Sequence, residues 1–257
     1  MKTVILAGGL GTRLSEETNI KPKPMVEIGG LPILWHIMKI YSYYGYKEFY
    51  PALGYKGEVI KDYFVNYLNR SSDTTVNLKT GKIDYHNTHS EDWILHLIDT
   101  GKDSLTGGRL HRLENYLGGE DTFMLTYGDG VANINIAELV KFHKSHGKIA
   151  TVTAVRPPAR FGAMIIENNS VVDFREKPQV GEGWINGGFF VFNKEVFQYL
   201  DGDLTILEKE PLENLAKDNQ LMAFQHDGFW HPMDTVRDRD YLNGLWEKKD
   251  SPWKVWS

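Results

Sequence analysis

Ala7-Gly8-Gly9-Leu10-Gly11-Thr12-Arg13-Leu14 follows directly on the apolar run Thr3-Val4-Ile5-Leu6, and Lys21-Pro22-Lys23-Pro24 comes shortly after. A short apolar run closed by turn residues has the pattern of a strand buried on both faces. Three glycines in four positions let the following backbone approach a ligand closely and leave main-chain N–H groups free to face an anion. Arg13 adds a forked donor for phosphate oxygens, and Lys23 adds a point charge. Strand, loop and cations together read as a grip on a polyphosphate. Two familiar loops do not fit. The dinucleotide fingerprint needs a third glycine where Leu14 stands, and no G-x-x-x-x-G-K-[ST] occurs. A turn without a ligand would explain the glycines but not the basic pair.

Composition narrows the classes. A chain of 257 residues with 41% hydrophobic and 25% charged residues is within reach of one α/β domain, residues 1–257. No apolar run approaches the ~20 residues that span a bilayer, so no membrane partner is expected. A net charge of −5 gives no general attraction to nucleic acid, so an anionic ligand must be held by a local basic cluster. There is no cysteine, hence no disulfide or thiolate chemistry. Met1-Lys2-Thr3 enters a strand at once, which leaves no room for a signal peptide; the expectation is a cytoplasmic protein.

Along the chain, strands are expected at Thr3–Leu6, Glu48–Leu53, Trp93–Ile98, Thr122–Tyr127 and Ala150–Val155, and helices at 32–41, 56–68 and 136–146. Pro51 inside the second strand removes a ladder donor and implies an edge or a bulge. The alternation predicts a Rossmann-like α/β fold, a mixed and mostly parallel sheet flanked by helices. The last third turns β-rich, with strands expected at 161–167, 171–176, 184–192 and 221–226 and a turn at Asn168-Asn169. Helices are expected at 195–200, 206–217 and 236–248. The aromatic tail Trp253-Lys254-Val255-Trp256 is expected to dock on the body or on another subunit.

Gly128-Asp129-Gly130 closes an apolar strand, where α/β sheets collect ligands. Its carboxylate suits Mg²⁺, although an Asp-Gly turn reads the same way. Asp234 in His231-Pro232-Met233-Asp234-Thr235 is the second candidate, and its alternative is an N-cap for the helix near Val236. Two carboxylates suffice for a magnesium nucleotide, because Mg²⁺ keeps several waters. Asn186 beside two glycines offers donor and acceptor to a sugar hydroxyl; the alternative is a bulged strand. Glu176-Lys177-Pro178 reads alone as a solvated charge pair, and Ser104 and Thr106 as phosphate or base hydrogen-bonders. His143 and His146 have metal spacing on a helix, but no third ligand is evident.

The motifs L-A-G-G-L-G-T-R-L, K-P-K-P-M, T-G-G-R-L, T-Y-G-D-G-V, E-K-P, I-N-G-G-F-F and M-D-T-x-R-D resemble, almost end to end, the cytidylyl branch of the sugar-phosphate nucleotidyltransferases. The resemblance implies the nucleotide-diphospho-sugar transferase fold with a smaller β-rich sugar-binding part. It also implies the reaction of CTP with α-D-glucose 1-phosphate to CDP-glucose and pyrophosphate, a precursor step to dideoxy sugars of bacterial surface polysaccharide. By the same resemblance the nucleotide lies on Leu6, Ala7, Gly8, Gly9, Leu10, Gly11, Thr12, Arg13 and Lys23, with Ser104 and Arg109 on the cytidine side and Gly128 beside it. Arg13, Lys23 and Asp129 would carry catalysis, Asp129 and Asp234 would hold Mg²⁺, and Glu176, Lys177 and Asn186 would meet the sugar phosphate. A homo-oligomer is implied. The same chemistry with UTP or dTTP, and a nucleotide-sugar sensor without turnover, remain open.

Overall fold

The computed structural model describes residues 1–9, 18, 20–117, 119–157, 163–167, 170–175 and 183–256. Its centre is a nine-stranded mixed sheet. The strands are β1 (Thr3–Ala7), β2 (Glu48–Leu53), β3 (Ile94–Leu95), β4 (Ile98–Asp99), β5 (Thr122–Tyr127), β6 (Ala150–Val155), β7 (Ile185–Asn186), β8 (Phe190–Asn193) and β9 (Leu221–His226). In space the order is β9–β6–β8–β5–β1–β2, with β7 beside β6 and both β3 and β4 beside β2. β1 pairs in parallel with both β2 and β5, as β2 does with β3 and β4 and β6 with β9. The antiparallel pairs are confined to the contacts of β5 with β8 and of β6 with β7 and β8. This is the expected mixed, mostly parallel arrangement.

β1 is buried along its whole length because both faces are covered. Ile5 and Ala7 face one apolar cluster and Val4 and Leu6 the other, as a period of two requires. On the first face lies α1 (Ile33–Tyr43), in which eight of eleven residues are buried. A helix so enclosed needs cover on its outer side as well. The C-terminal segment supplies part of it: Trp253 has no exposed surface and gives its indole N–H to His36 Nδ1 at 3.4 Å. The tail thus docks on the body, the first of the two expected places.

Pro51 lies neither on a free edge nor in a bulge. It pairs in register with Ile5 of β1. The carbonyls of Phe49 and Leu53 accept from His96 and Thr100 on the outer side, so Pro51, of the same parity, turns its missing N–H outward. There the neighbouring strand is broken into β3 and β4, which pair with β2 on either side of Tyr50-Pro51. The expected strand 93–98 is accordingly two short ones.

The strand expected at 184–192 is also split. β7 and β8 meet β6 with registers two residues apart, and Gly187, Gly188 and Phe189 bulge between them. Gly188 and Phe189 have φ of 77° and 46°. The helix expected from Ile206 begins only at Glu210, because Pro211 fits the first turn and no later one. The segment at 195–200 is a 3-10 helix, Lys194–Tyr199. The helix expected at 56–68 divides into α2 (Gly57–Val65) and a short second helix at Tyr67–Ser71. A hairpin, Asp73–Asn77 with Lys82–His86, stands exposed along both strands. Strands Ala163–Glu167 and Ser170–Arg175 pair with each other, and the expected Asn168-Asn169 turn between them lies outside the described residues. Among the described residues no helix is long and apolar enough to cross a membrane.

Candidate active site

Because β1, β2 and β5 run parallel, their carboxyl ends share one edge, and Gly8, Gly54 and Gly128 follow them there. A cavity of about 300 Å³ opens at this edge, with Gly8, Gly9, Lys23, Ser104, Arg109 and Asp129 among its lining. The sheet therefore collects the first two glycines of the expected loop with the expected lysine, serine, arginine and carboxylate around one space, where α/β sheets take ligands.

Asp129 and Asp234 meet although 105 positions separate them. Gly130–Ala132 pairs antiparallel with Trp230–Pro232, and the Met233 N–H donates to the Asp129 carbonyl at 2.7 Å. The two aspartates thus leave neighbouring ends of one small ribbon. Both carboxylates converge on Lys23, whose Nζ donates to Asp129 Oδ2 at 2.6 Å and to Asp234 Oδ1 at 2.5 Å. Lys23 opens a 3-10 turn, Lys23–Met25, which Pro22 and Pro24 stiffen. Burial alone would lower the lysine's pKa, but the charges and hydrogen bonds of Asp129 and Asp234 outweigh it and raise the pKa above its ordinary value. The cap of α4 (Val236–Glu247) is Thr235, not Asp234. Thr235 Oγ1 accepts from the Asp238 N–H, and Asp238 Oδ2 accepts from the Thr235 N–H, a reciprocal capping box. Asp238 also accepts from the Asp234 N–H at 3.2 Å, so it fixes the backbone that carries Asp234.

Arg109 is 5% exposed, and its guanidinium reaches three loops at once. Nη1 donates to the carbonyls of Leu53 and Gly101 and to Thr100 Oγ1. Nη2 donates to the carbonyls of Gly8 and Lys102. A Cβ at Gly8 or Gly54 would stand 2.2 or 2.3 Å from guanidinium atoms, so with Arg109 in this place neither position has room for a side chain. None of these acceptors is a carboxylate. Burial lowers the pKa of Arg109, yet a guanidinium keeps its proton, so the wall of the cavity carries a fixed positive charge. Arg109 belongs to α3 (Thr106–Arg112). The glycines of T-G-G-R-L serve packing there, since a Cβ on Gly108 would lie 2.1 Å from the Asp203 carbonyl.

Asn186 is tied to the lining of the cavity by a chain of hydrogen bonds. Its amide donates to Tyr127 Oη at 2.9 Å, Tyr127 donates to Glu208 Oε1 at 2.7 Å, and Thr106 Oγ1 donates to Glu208 Oε2 at 2.6 Å. Burial, followed by the Glu208 charge, pushes the Tyr127 pKa up, so it remains a neutral donor. Tyr127 and Thr106 line the cavity. Tyr127 and Glu208 carry no sequence signal for this place. The T-Y-G-D-G motif contains the tyrosine, but its partner is 81 residues away.

Of the remaining site expectations, Leu10, Gly11, Thr12, Arg13, Glu176 and Lys177 lie outside the described residues. Leu6, Ala7 and Gly128 sit at the strand ends described above. His143 and His146 bind no metal partner set: His143 bonds Thr151 and Asn193, and His146 bonds Thr151. Among the described residues no group of three or more His, Cys, Asp or Glu could hold a metal ion. Two hard carboxylates beside a phosphate-sized cavity still fit Mg²⁺, which takes one or two protein ligands and leaves the rest to water and phosphate.

Residues 2–236 match the model of the nucleotidyl transferase family. A Salmonella typhi protein named glucose-1-phosphate cytidylyltransferase is 56% identical over 256 residues, the alignment covering 100% of both chains. A Bacillus subtilis protein named probable glucose-1-phosphate cytidylyltransferase is 48% identical, again across 100% of both. In fold, the chain is similar to HddC from Yersinia pseudotuberculosis, crystallised with GMP-PN. The TM-score is 0.68 at 23% identity, with 95% of this chain and 99% of that one covered. The glycine loop, the paired aspartates and these likenesses agree, and the chain belongs to the nucleotidyl transferase family.

Proposed function

We propose that this chain, as one domain over residues 1–257, transfers a cytidylyl group from CTP to α-D-glucose 1-phosphate, giving CDP-glucose and pyrophosphate. The full-length 56% identity to a cytidylyltransferase supports the substrates. The convergence of Asp129 and Asp234 on Lys23, which lines the cavity, is the observation that supports the chemistry.

A phosphate oxygen of the sugar attacks the α-phosphorus of CTP in line. The new P–O bond forms as the bond to the β-phosphate breaks, and pyrophosphate leaves with the electron pair. Both reactants are anions, and two unit charges ~4 Å apart repel by roughly 4 kcal/mol at an effective dielectric of about 20. Lys23 lowers this cost on the phosphate side, together with Arg13 and Lys177. The glycine loop and Ser104 hold the nucleotide, and the buried Arg109 charge draws it inward. Asn186, oriented by Tyr127, meets a sugar hydroxyl, and the family motif assigns Glu176 to the sugar phosphate. Asp129 and Asp234 would hold Mg²⁺, which would supply neutralisation of phosphate charge there.

The reading extends to a cytoplasmic homo-oligomer that supplies an activated hexose for dideoxy-sugar formation in bacterial surface polysaccharide. Exposed Val76, Leu78, Ile83 and Tyr85 on the hairpin support association. The test is pyrophosphate release with glucose 1-phosphate and each nucleotide. CTP should far exceed ATP and GTP; preference for UTP or dTTP would move the chain to another branch, and no release would leave a sensor.

A further inference from the structure

Lys23 bridges Asp129 and Asp234, and this placement conflicts with direct metal binding by the same pair. Contacts of 2.6 and 2.5 Å to one nitrogen hold the two oxygens within about 5 Å of each other. A Mg²⁺ or Mn²⁺ ion bound to both would stand about 2 Å from each oxygen, in the space the ammonium fills. Two cations cannot share it. Lys23 cannot simply be expelled either, because its side chain is 14% exposed and would be left as a half-buried charge without its partners.

We propose that Lys23 is the resident counter-ion of the carboxylate pair and couples cation binding to nucleotide binding. In the absence of nucleotide, Lys23 competes with a divalent cation for Asp129 and Asp234. A triphosphate offers Lys23 new anionic partners. The lysine moves from carboxylate to phosphate, and the carboxylates become available to the cation. Nucleotide and cation then strengthen each other's binding, as linkage requires. This inference rests on the reading of Asp129 and Asp234 as metal ligands.

The test is Mn²⁺ titration followed by electron paramagnetic resonance, with no nucleotide present, on the wild type, Lys23→Met, Lys23→Gln and Lys23→Met/Asp129→Asn. The expected result is weak binding by the wild type, an affinity at least about tenfold higher in both single variants, and loss of that gain in the double variant. Circular dichroism checks folding, and the glutamine variant decides if the methionine variant does not fold. A parallel titration with CTP, corrected for Mn²⁺ held by free CTP, compares the wild type with Asp129→Asn. If Asp129→Asn leaves the CTP-dependent Mn²⁺ binding unchanged, the metal-ligand reading falls and this inference with it. If Asp129→Asn weakens it while both Lys23 variants bind Mn²⁺ alone no more tightly than the wild type, only the counter-ion role is overturned.

Discussion

Replacing Arg109 by lysine keeps the charge at the cavity wall and removes the fork. Five contacts, to Leu53, Thr100, Gly101, Gly8 and Lys102, join the loops after β1, β2 and β4. An ammonium has three donors, so at least two contacts are lost. A hydrogen bond to a charged group contributes about 1.5–3 kcal/mol, which puts the loss at roughly 3–6 kcal/mol. The Leu53 carbonyl keeps donors from Thr100, and the Gly8 carbonyl keeps one from Tyr55, so the lower end applies. About 3 kcal/mol corresponds to a drop in Tm of about 6 °C for a chain of this length. Thermal unfolding followed by circular dichroism measures it, and pyrophosphate release at varied CTP measures the effect on the loop. The expected outcome is a lower Tm with a raised KM for CTP. An unchanged Tm with a raised KM would refute the reasoning, because Arg109 would then be a ligand contact and not a clamp between loops.

Asp129→Asn and Asp234→Asn should each lower the rate of pyrophosphate release about a hundredfold or more, and the double variant should lose far less than the product, since in the proposed mechanism both act through one ion. Retention of Mg²⁺-dependent activity by Asp234→Asn would remove it from the site. His36 is buried and its pKa is pushed down to about 4 from 6.5, so the fold holds it neutral while the unfolded chain takes the proton. Stability is therefore full above pH 6.5 and falls as pH drops toward 4, by roughly 3 kcal/mol from this group; urea midpoints of the wild type and His36→Gln should converge in acid. Light scattering at micromolar concentration should give a mass above one chain, and a mass near 29.4 kDa would refute the oligomer.

Elements with strong periodicity were legible in the sequence: β1, β5 and α1 lie within a residue or two of expectation. The misses have local causes. Pro51 implies an edge or a bulge in β2, whereas the neighbouring strand accommodates it by breaking into β3 and β4. Pro211 carried a signal that the helix starts late, but Ile206 and Leu207 continued the apolar pattern upstream. The meeting of Asp129 and Asp234 followed from the family motifs and from no spacing rule, because the ribbon that joins them has three residues on each side, too few for a pattern. The cap alternative for Asp234 failed on the next residue: Thr235 and Asp238 have the spacing of a capping box, which competes for the same helix end. Arg109 was assigned to the cytidine side, and its bonds to main-chain carbonyls of distant loops could not be inferred from T-G-G-R-L.

The burial of Trp253 against His36 has a consequence for synthesis. A ribosome delivers this chain from β1 onward, and domains fold as their residues emerge. The outer side of α1 is made early and waits for a residue placed more than two hundred positions later. Asp234 comes late as well. A nascent or truncated chain that stops short of residue 234 therefore lacks both the cover of its first helix and one of its two paired aspartates. Such fragments would be sticky and inert, substrates for chaperones and proteases, and activity would begin only when the last segment closes over the first.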